Sequence, residues 1–182
     1  MVDKFNEKTI HRETIFKGHV IDVYVDDVSL PNQEISKREL VFHQGAVGIL
    51  AITSEDKIVL VRQFRKALEK SILEIPAGKI EKDELDLAKT AKRELEEETH
   101  YRCKKLEKVT SFITSPGFCN EELTLYQAFD LEKVDNPLPR DEDEFLDIIE
   151  LTLTQAKEEI KKGTICDAKT MYALLYWESQ QL

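Results

Sequence analysis

Apolar and charged positions nearly alternate over residues 8–30, with Ile10, Ile15, Val20, Ile21, Val23, Val25 and Val28 on the apolar side and Gly18 as a break. A period of two predicts two or three short strands there. Residues 31–34, Pro-Asn-Gln-Glu, form a turn signal, and residues 36–42 return as a further strand. Residues 46–52 are almost wholly apolar and read as a buried strand. After a turn at 54–56, residues 58–64 are expected as the hairpin partner of that strand. Residues 72–75 form another short strand, ended by Pro76, Ala77 and Gly78.

The period then changes to about 3.6. Leu87, Ala91 and Leu95 recur four apart in a stretch rich in Ala, Lys, Leu and Glu, which predicts an amphipathic helix over about 85–99. Strands are expected near 106–113, 122–130 and 145–152, separated by the 115–118 loop and an acidic stretch at 137–144. Thr154 is a candidate cap for a helix to about Lys162, with Gly163 as its stop. A last helix is expected over 167–179, capped by Asp167 and apolar at Met171, Leu174, Leu175 and Trp177. Many strands with few helices predict a mixed sheet layered with helices, an α/β or α+β fold.

Length and composition narrow the possibilities. At 182 residues, with 41% hydrophobic and 34% charged residues, the chain suits one globular domain with a real core. No apolar run approaches the roughly 20 residues that span a bilayer. The first residues are polar and lack a secretory apolar core, so a cytoplasmic location is expected. Cys103, Cys119 and Cys166 are scattered without metal or disulfide spacing, and are expected to be ordinary thiols. A net charge of −10 excludes the broad basic footprint of a nucleic-acid binder. It still allows a small anion to bind where a cation and a few arginines are focused in a cleft.

Candidate chemistry begins with Glu94, Glu97 and Glu98. At i, i+3 and i+4 they project from one side of a helix, while Glu96 points elsewhere. Such carboxylates repel one another unless a hard divalent cation draws them together. Arg93 could orient one of them. Taken alone, a glutamate-rich run is more often a solvated helix face.

Its surroundings change the balance. The segment GKIEKDELDLAKTAKRELEEETHY (78–101) resembles the Nudix box, G-x5-E-x7-R-E-U-x-E-E-x-G-U, where U is aliphatic or aromatic. Gly78, Glu84 and the run Arg93 to Glu98 fit it. Eight residues rather than seven separate Glu84 from Arg93, and His100 stands at the final glycine. The longer spacing leaves open whether Glu84 or Glu81 braces the helix. His100 faces a left-handed position at a cost on the order of 1 kcal/mol. The resemblance implies a Nudix-type mixed sheet sandwiched between helices, with an N-terminal antiparallel strand extension. It also implies hydrolysis of a nucleoside diphosphate derivative with Mg2+, for which Mn2+ can substitute. Glu94, Glu97 and Glu98 match the metal ligands, and the Ala77 carbonyl is a further candidate.

Further matches are similar to the ADP-ribose pyrophosphatase subgroup. Pro116, in Ser115-Pro116-Gly117-Phe118, lies 15 residues after Tyr101. By itself Pro-Gly is only a strong turn dipeptide. Residues 41–46, 63–65, 73–78 and 167–170 match as well. By resemblance, Arg65 grips the phosphates, and Arg38 is a phosphate-side arginine contributed across a homodimer, unless it is simply an exposed strand arginine. Phe16 either stacks on adenine or packs in the core or dimer interface. In the acidic loop, Glu142 is matched to the general base and Glu144 to a metal contact, and the two could be exchanged. The implied layout is an N-terminal strand region at 1–45, for dimerisation and substrate contacts, and a hydrolase domain at 46–182. ADP-ribose, cleaved to AMP and ribose 5-phosphate, is the expected substrate. Nucleotide sugars, dinucleoside polyphosphates and oxidised nucleotides are alternatives. A non-catalytic sensor of ADP-ribose is disfavoured because Glu94, Glu97 and Glu98 are all present.

Overall fold

The structure, a computed structural model, describes residues 3–81, 84–140, 142 and 144–181. The chain divides into two compact units, Met1–Gly45 with Ile113–Glu122, and Ala46–Phe112 with Leu123–Leu182.

In the first unit the alternating segment makes two long strands, β1 (Lys8–Lys17) and β2 (Ile21–Ser29), followed by β3 (Ile35–His43). They form an antiparallel meander in the order β1-β2-β3. β1 is exposed along its whole length, including Ile10, Ile15 and Phe16. Beneath it Asp26 is buried at 1% exposure and accepts both prongs of the Arg12 guanidinium at 2.7 Å. The Arg12 fork holds the Asp26 carboxyl below its ordinary range. Arg12 also lies over the Tyr24 and Phe42 rings, at 4.9 and 5.0 Å from their centroids. The loop after Ser115 docks on β3: Val41 N donates to the Phe118 carbonyl (2.8 Å) and Asn120 N to the Val41 carbonyl (3.2 Å).

The second unit contains β4 (Ala46–Ala51), β5 (Ile58–Arg65), β6 (Lys70–Glu74), β7 (Ala77–Lys79), α1 (Leu87–Thr99), β10 (Leu146–Leu151), α2 (Leu153–Lys161) and α3 (Ala168–Ser179). Two longer strands, β8 (Tyr101–Ile113) and β9 (Glu122–Lys133), each end just inside the first unit. Two sheets result, β7-β4-β9-β8 and β10-β5-β6. The expected β4–β5 hairpin is not formed. Just past β4 the chain turns through the isolated bridge Ile52↔Ile58, and the two strands then part into different sheets. β4 pairs in parallel with β9 and antiparallel with β7, while β5 pairs with β10 and β6. The reason lies in the apolar runs themselves: both strands bury every residue at their apolar ends, so each needs cover on two faces.

That cover comes from helices on opposite sides. Val47, Ile49, Ala51 and Val59 pack with Ala91 and Leu95 of α1. Leu50, Ile58, Leu60, Leu73 and Ile75 pack with Ala156 of α2 and with Ala173, Leu174 and Trp177 of α3. The fold is therefore mixed α+β, with sheets between helices.

Helix ends follow the capping chemistry of the chain. Asp86 caps α1, and Asp167 caps α3. For α2 the cap is Thr152 rather than Thr154, because Gln155 completes a reciprocal capping box with Thr152. Gly163 follows α2 with φ +71°, as a helix stop requires. β8 begins at Tyr101, earlier than its sequence pattern suggests, and the three-residue β7 is too short to show any period.

Candidate active site

The helix expected from the four-residue recurrence is α1, and its glutamates divide as their spacing requires. Glu96 turns away and is buried against Arg102, which grips both its oxygens at 2.5 and 2.7 Å. Glu94 and Glu98 turn toward β7. Glu98 is only 2% exposed and accepts a hydrogen bond from Ala77 N at 2.9 Å. Glu94 lies so close to Gly78 that a Cβ there would fall 1.9 Å from its carboxyl carbon. Gly78 is thus required for space, not for an unusual φ.

Arg93 organises the same face. Its Nη1 donates to Glu97 at 2.6 Å, and its Nη2 lies 2.8 Å from Glu94 and 3.5 Å from Glu84. Glu84, rather than Glu81, is therefore the upstream carboxylate beside Arg93. Glu81 instead donates its backbone N–H to Glu84 at 3.2 Å. The longer spacing between Glu84 and Arg93 is taken up without disturbing α1, which follows a connection that ends at its Asp86 cap. Lys82 and Asp83 in that connection lie outside the described residues.

Burial dominates the electrostatics. It pushes the Glu94 carboxyl up to about 7 against the opposing pull of Arg93, with Glu97 and Glu144 adding to the rise. Burial also raises Glu98 well above its ordinary range, reinforced by the neighbouring charge of Glu144 and opposed by the Ala77 N–H. Glu144 lies within hydrogen-bonding reach of Glu98. Glu142 is exposed in the same acidic loop. Asp141 and Asp143 of that loop lie outside the described residues.

Arg65 ends β5 and lies in the field of Glu98. Its Nε and Nη2 fork onto the buried Glu74 at 2.5 and 3.1 Å, a pairing in which Nη1 takes no part. Glu74 also accepts from Lys169 at the start of α3, whose ammonium reaches Asp167 at 3.0 Å. Glu74 and Lys169 lie in segments that match the resemblance, 73–78 and 167–170, but neither had an assigned role in the sequence. Nor had Arg140, which donates to the carbonyls of Glu97 and Glu98 at 3.0 and 3.2 Å. Contacts to backbone carbonyls more than 40 residues away leave no local pattern.

The remaining candidates belong to the first unit. Arg38 forks onto Glu7 at 2.6 and 2.8 Å. Phe16 is 54% exposed and its ring packs on Gly18. Pro116 and Gly117 are exposed in the turn beside β3. The three cysteines are free, with Cys166 exposed.

Among the described residues no three His, Cys, Asp or Glu side chains already stand as a finished metal cage. The donor set nevertheless fits a hard divalent cation. Glu94, Glu98 and Glu144 bring oxygen ligands and mutually repelling charge to one place, where burial opposes ionisation until a cation compensates it.

A family model for the NUDIX domain matches residues 42–174, and the chain belongs to that family. A Bacillus methanolicus protein named methanol dehydrogenase activator is 56% identical over 177 residues, 97% of this chain and 95% of its own length. The ADP-ribose pyrophosphatase of Bacillus subtilis (strain 168) is 51% identical over 175 residues, covering 96% of this chain and 94% of that one. A crystal structure of an ADP compounds hydrolase has the same fold, with a TM-score of 0.83 at 22% identity, over 97% of this chain and 96% of the other. A divalent metal is a general requirement of the family. No helix among the described residues is long and apolar enough to cross a membrane.

Proposed function

We propose that the chain hydrolyses the diphosphate of ADP-ribose to AMP and ribose 5-phosphate. The observation that carries this reading is the convergence of Glu94, Glu98 and Glu144 beside Ala77 and Gly78. The close similarity to the Bacillus subtilis ADP-ribose pyrophosphatase supports the choice of substrate. Bound Mg2+, or Mn2+ in its place, supplies charge neutralisation of the diphosphate and acidifies the attacking water.

Glu94 and Glu98 hold the cation, with Glu97, Glu144 and the Ala77 carbonyl as further ligands. Glu142 takes the proton as water oxygen bonds to one phosphorus and the bridging P–O bond breaks. Arg65 steadies the phosphates, a task suited to a guanidinium whose other nitrogens are already anchored on Glu74. Arg38, Phe16, Pro116 and Gly117 serve substrate recognition, Arg38 from the second copy of a homodimer working in the cytoplasm. Exposed apolar residues along β1 support a protein partner on that strand.

AMP release from a panel of ADP-ribose, nucleotide sugars and dinucleoside polyphosphates tests this directly. ADP-ribose should be among the best substrates with Mg2+, and Glu98→Gln should lose about 10²-fold or more in kcat, in line with loss of a charge-stabilising group. Undiminished turnover by Glu98→Gln would overturn the site.

A second reading, favoured by the 56% identical relative, is activation of a dehydrogenase. It predicts faster methanol oxidation when the chain is added to a methanol dehydrogenase. Repeating the assay with Glu98→Gln would show whether that effect needs hydrolysis.

A further inference from the structure

Arg140 stands at the start of the acidic segment, yet its guanidinium contacts backbone rather than carboxylates. Nε and Nη2 take the carbonyls of Glu97 and Glu98 at the end of α1, at 3.0 and 3.2 Å. Nη1 lies 3.5 Å from the carbonyl of Leu146, the first residue of β10. One rigid fork therefore spans the helix that carries Glu94 and Glu98 and the strand that follows Glu142 and Glu144.

A second fastening lies two residues earlier. Leu138 N donates to Glu96 at 3.1 Å, and that buried carboxylate is itself held by Arg102. This gives a task to the one glutamate of the run that faces away from the site. The segment bearing the candidate base is thus pinned on both sides, at Leu138 and Arg140 before it and at Leu146 after it.

A simple helix cap would be a weaker explanation. The left-handed His100 already closes α1, donating its N–H to the Glu96 carbonyl at 2.9 Å. A lysine would satisfy the helix dipole equally well. Only a planar fork reaches carbonyls of two different elements at once.

We propose that Arg140 is a positioning residue for the general base, setting the separation between the acidic segment and the ligand-bearing face of α1. This rests on the hydrolase reading above. Its energetic basis is that misplacement of a catalytic group by about 1 Å can cost on the order of 10²-fold in rate.

The test measures ADP-ribose hydrolysis at saturating Mg2+ by the wild type, Arg140→Lys and Arg140→Ala. Arg140→Ala is then combined with Glu142→Gln or Glu144→Gln, whichever single variant loses more kcat. Arg140→Ala should lower kcat by about 10- to 100-fold while KM moves less than about threefold, and Arg140→Lys should recover only part of the loss. In the base-variant background the further loss should be less than about twofold, because the two residues act as one unit. Equal losses in both backgrounds would overturn the proposal.

Amide hydrogen exchange provides a readout independent of turnover. Amides at 138–147 should exchange about tenfold faster or more in Arg140→Ala, while those of β1–β3 stay unchanged. Unchanged exchange at 138–147 overturns the tether whatever the activity. A wild type that cleaves no nucleotide would instead overturn the hydrolase reading.

Discussion

Glu94 and Gly78 show how much one atom decides. The missing Cβ of Gly78 is the space that the Glu94 carboxyl occupies, so Gly78→Ala must push that carboxyl out of place. Hydrolysis should fall by about tenfold or more through weaker Mg2+ binding, with thermal stability lowered only slightly. A Mg2+ titration of activity and a melting curve check both halves. The same carboxyl makes the metal-free chain sensitive to pH. Its folded pKa of about 7 lies above the ordinary 4.5, so between those values the folded chain holds a proton that the unfolded chain has released. The associated stability is fully present below about 4.5 and is lost as pH rises through about 7. Melting temperature in EDTA should therefore fall over that range, Glu94→Gln should flatten the fall, and Mg2+ should oppose it.

At the scale of elements, α1 is the organising piece. Asp86 starts it, His100 ends it, and its register sends Glu96 one way and Glu94 and Glu98 the other. His100 adopts φ 59°, a conformation that costs a side chain on the order of 1 kcal/mol relative to glycine. His100→Gly should therefore stabilise the chain by up to about 1 kcal/mol in urea unfolding, less what is lost at the 3.4 Å contact of His100 with Arg140. The helix and its departure from the motif were both legible in the sequence, because period and capping are local. The partner of β4 was not. An all-apolar strand states that it is covered on both faces but not by which neighbours. Here β9, more than 70 residues later, takes the place that a hairpin would have given to β5.

At the scale of the whole molecule, the N-terminal meander bears on assembly. β1 leaves Ile10, Ile15 and Phe16 exposed. A homodimer built on this strand should sediment at twice the 21.1 kDa of the chain. Replacing Ile10 and Ile15 by Lys should shift the population toward monomer, and sedimentation equilibrium of both forms would decide it.

The sequence by itself determined the family, the helix that carries the carboxylates, most strands and the Asp167 cap of the last helix, since each depends on residues close together along the chain. Tertiary structure alone decided the rest. It set which strands share a sheet and why Gly78 must lack a side chain. It also brought Glu84 rather than Glu81 to Arg93, and placed Arg65, Glu74 and Lys169 in one ion network. These depend on distances between residues far apart in sequence, which burial and packing select and no local pattern encodes.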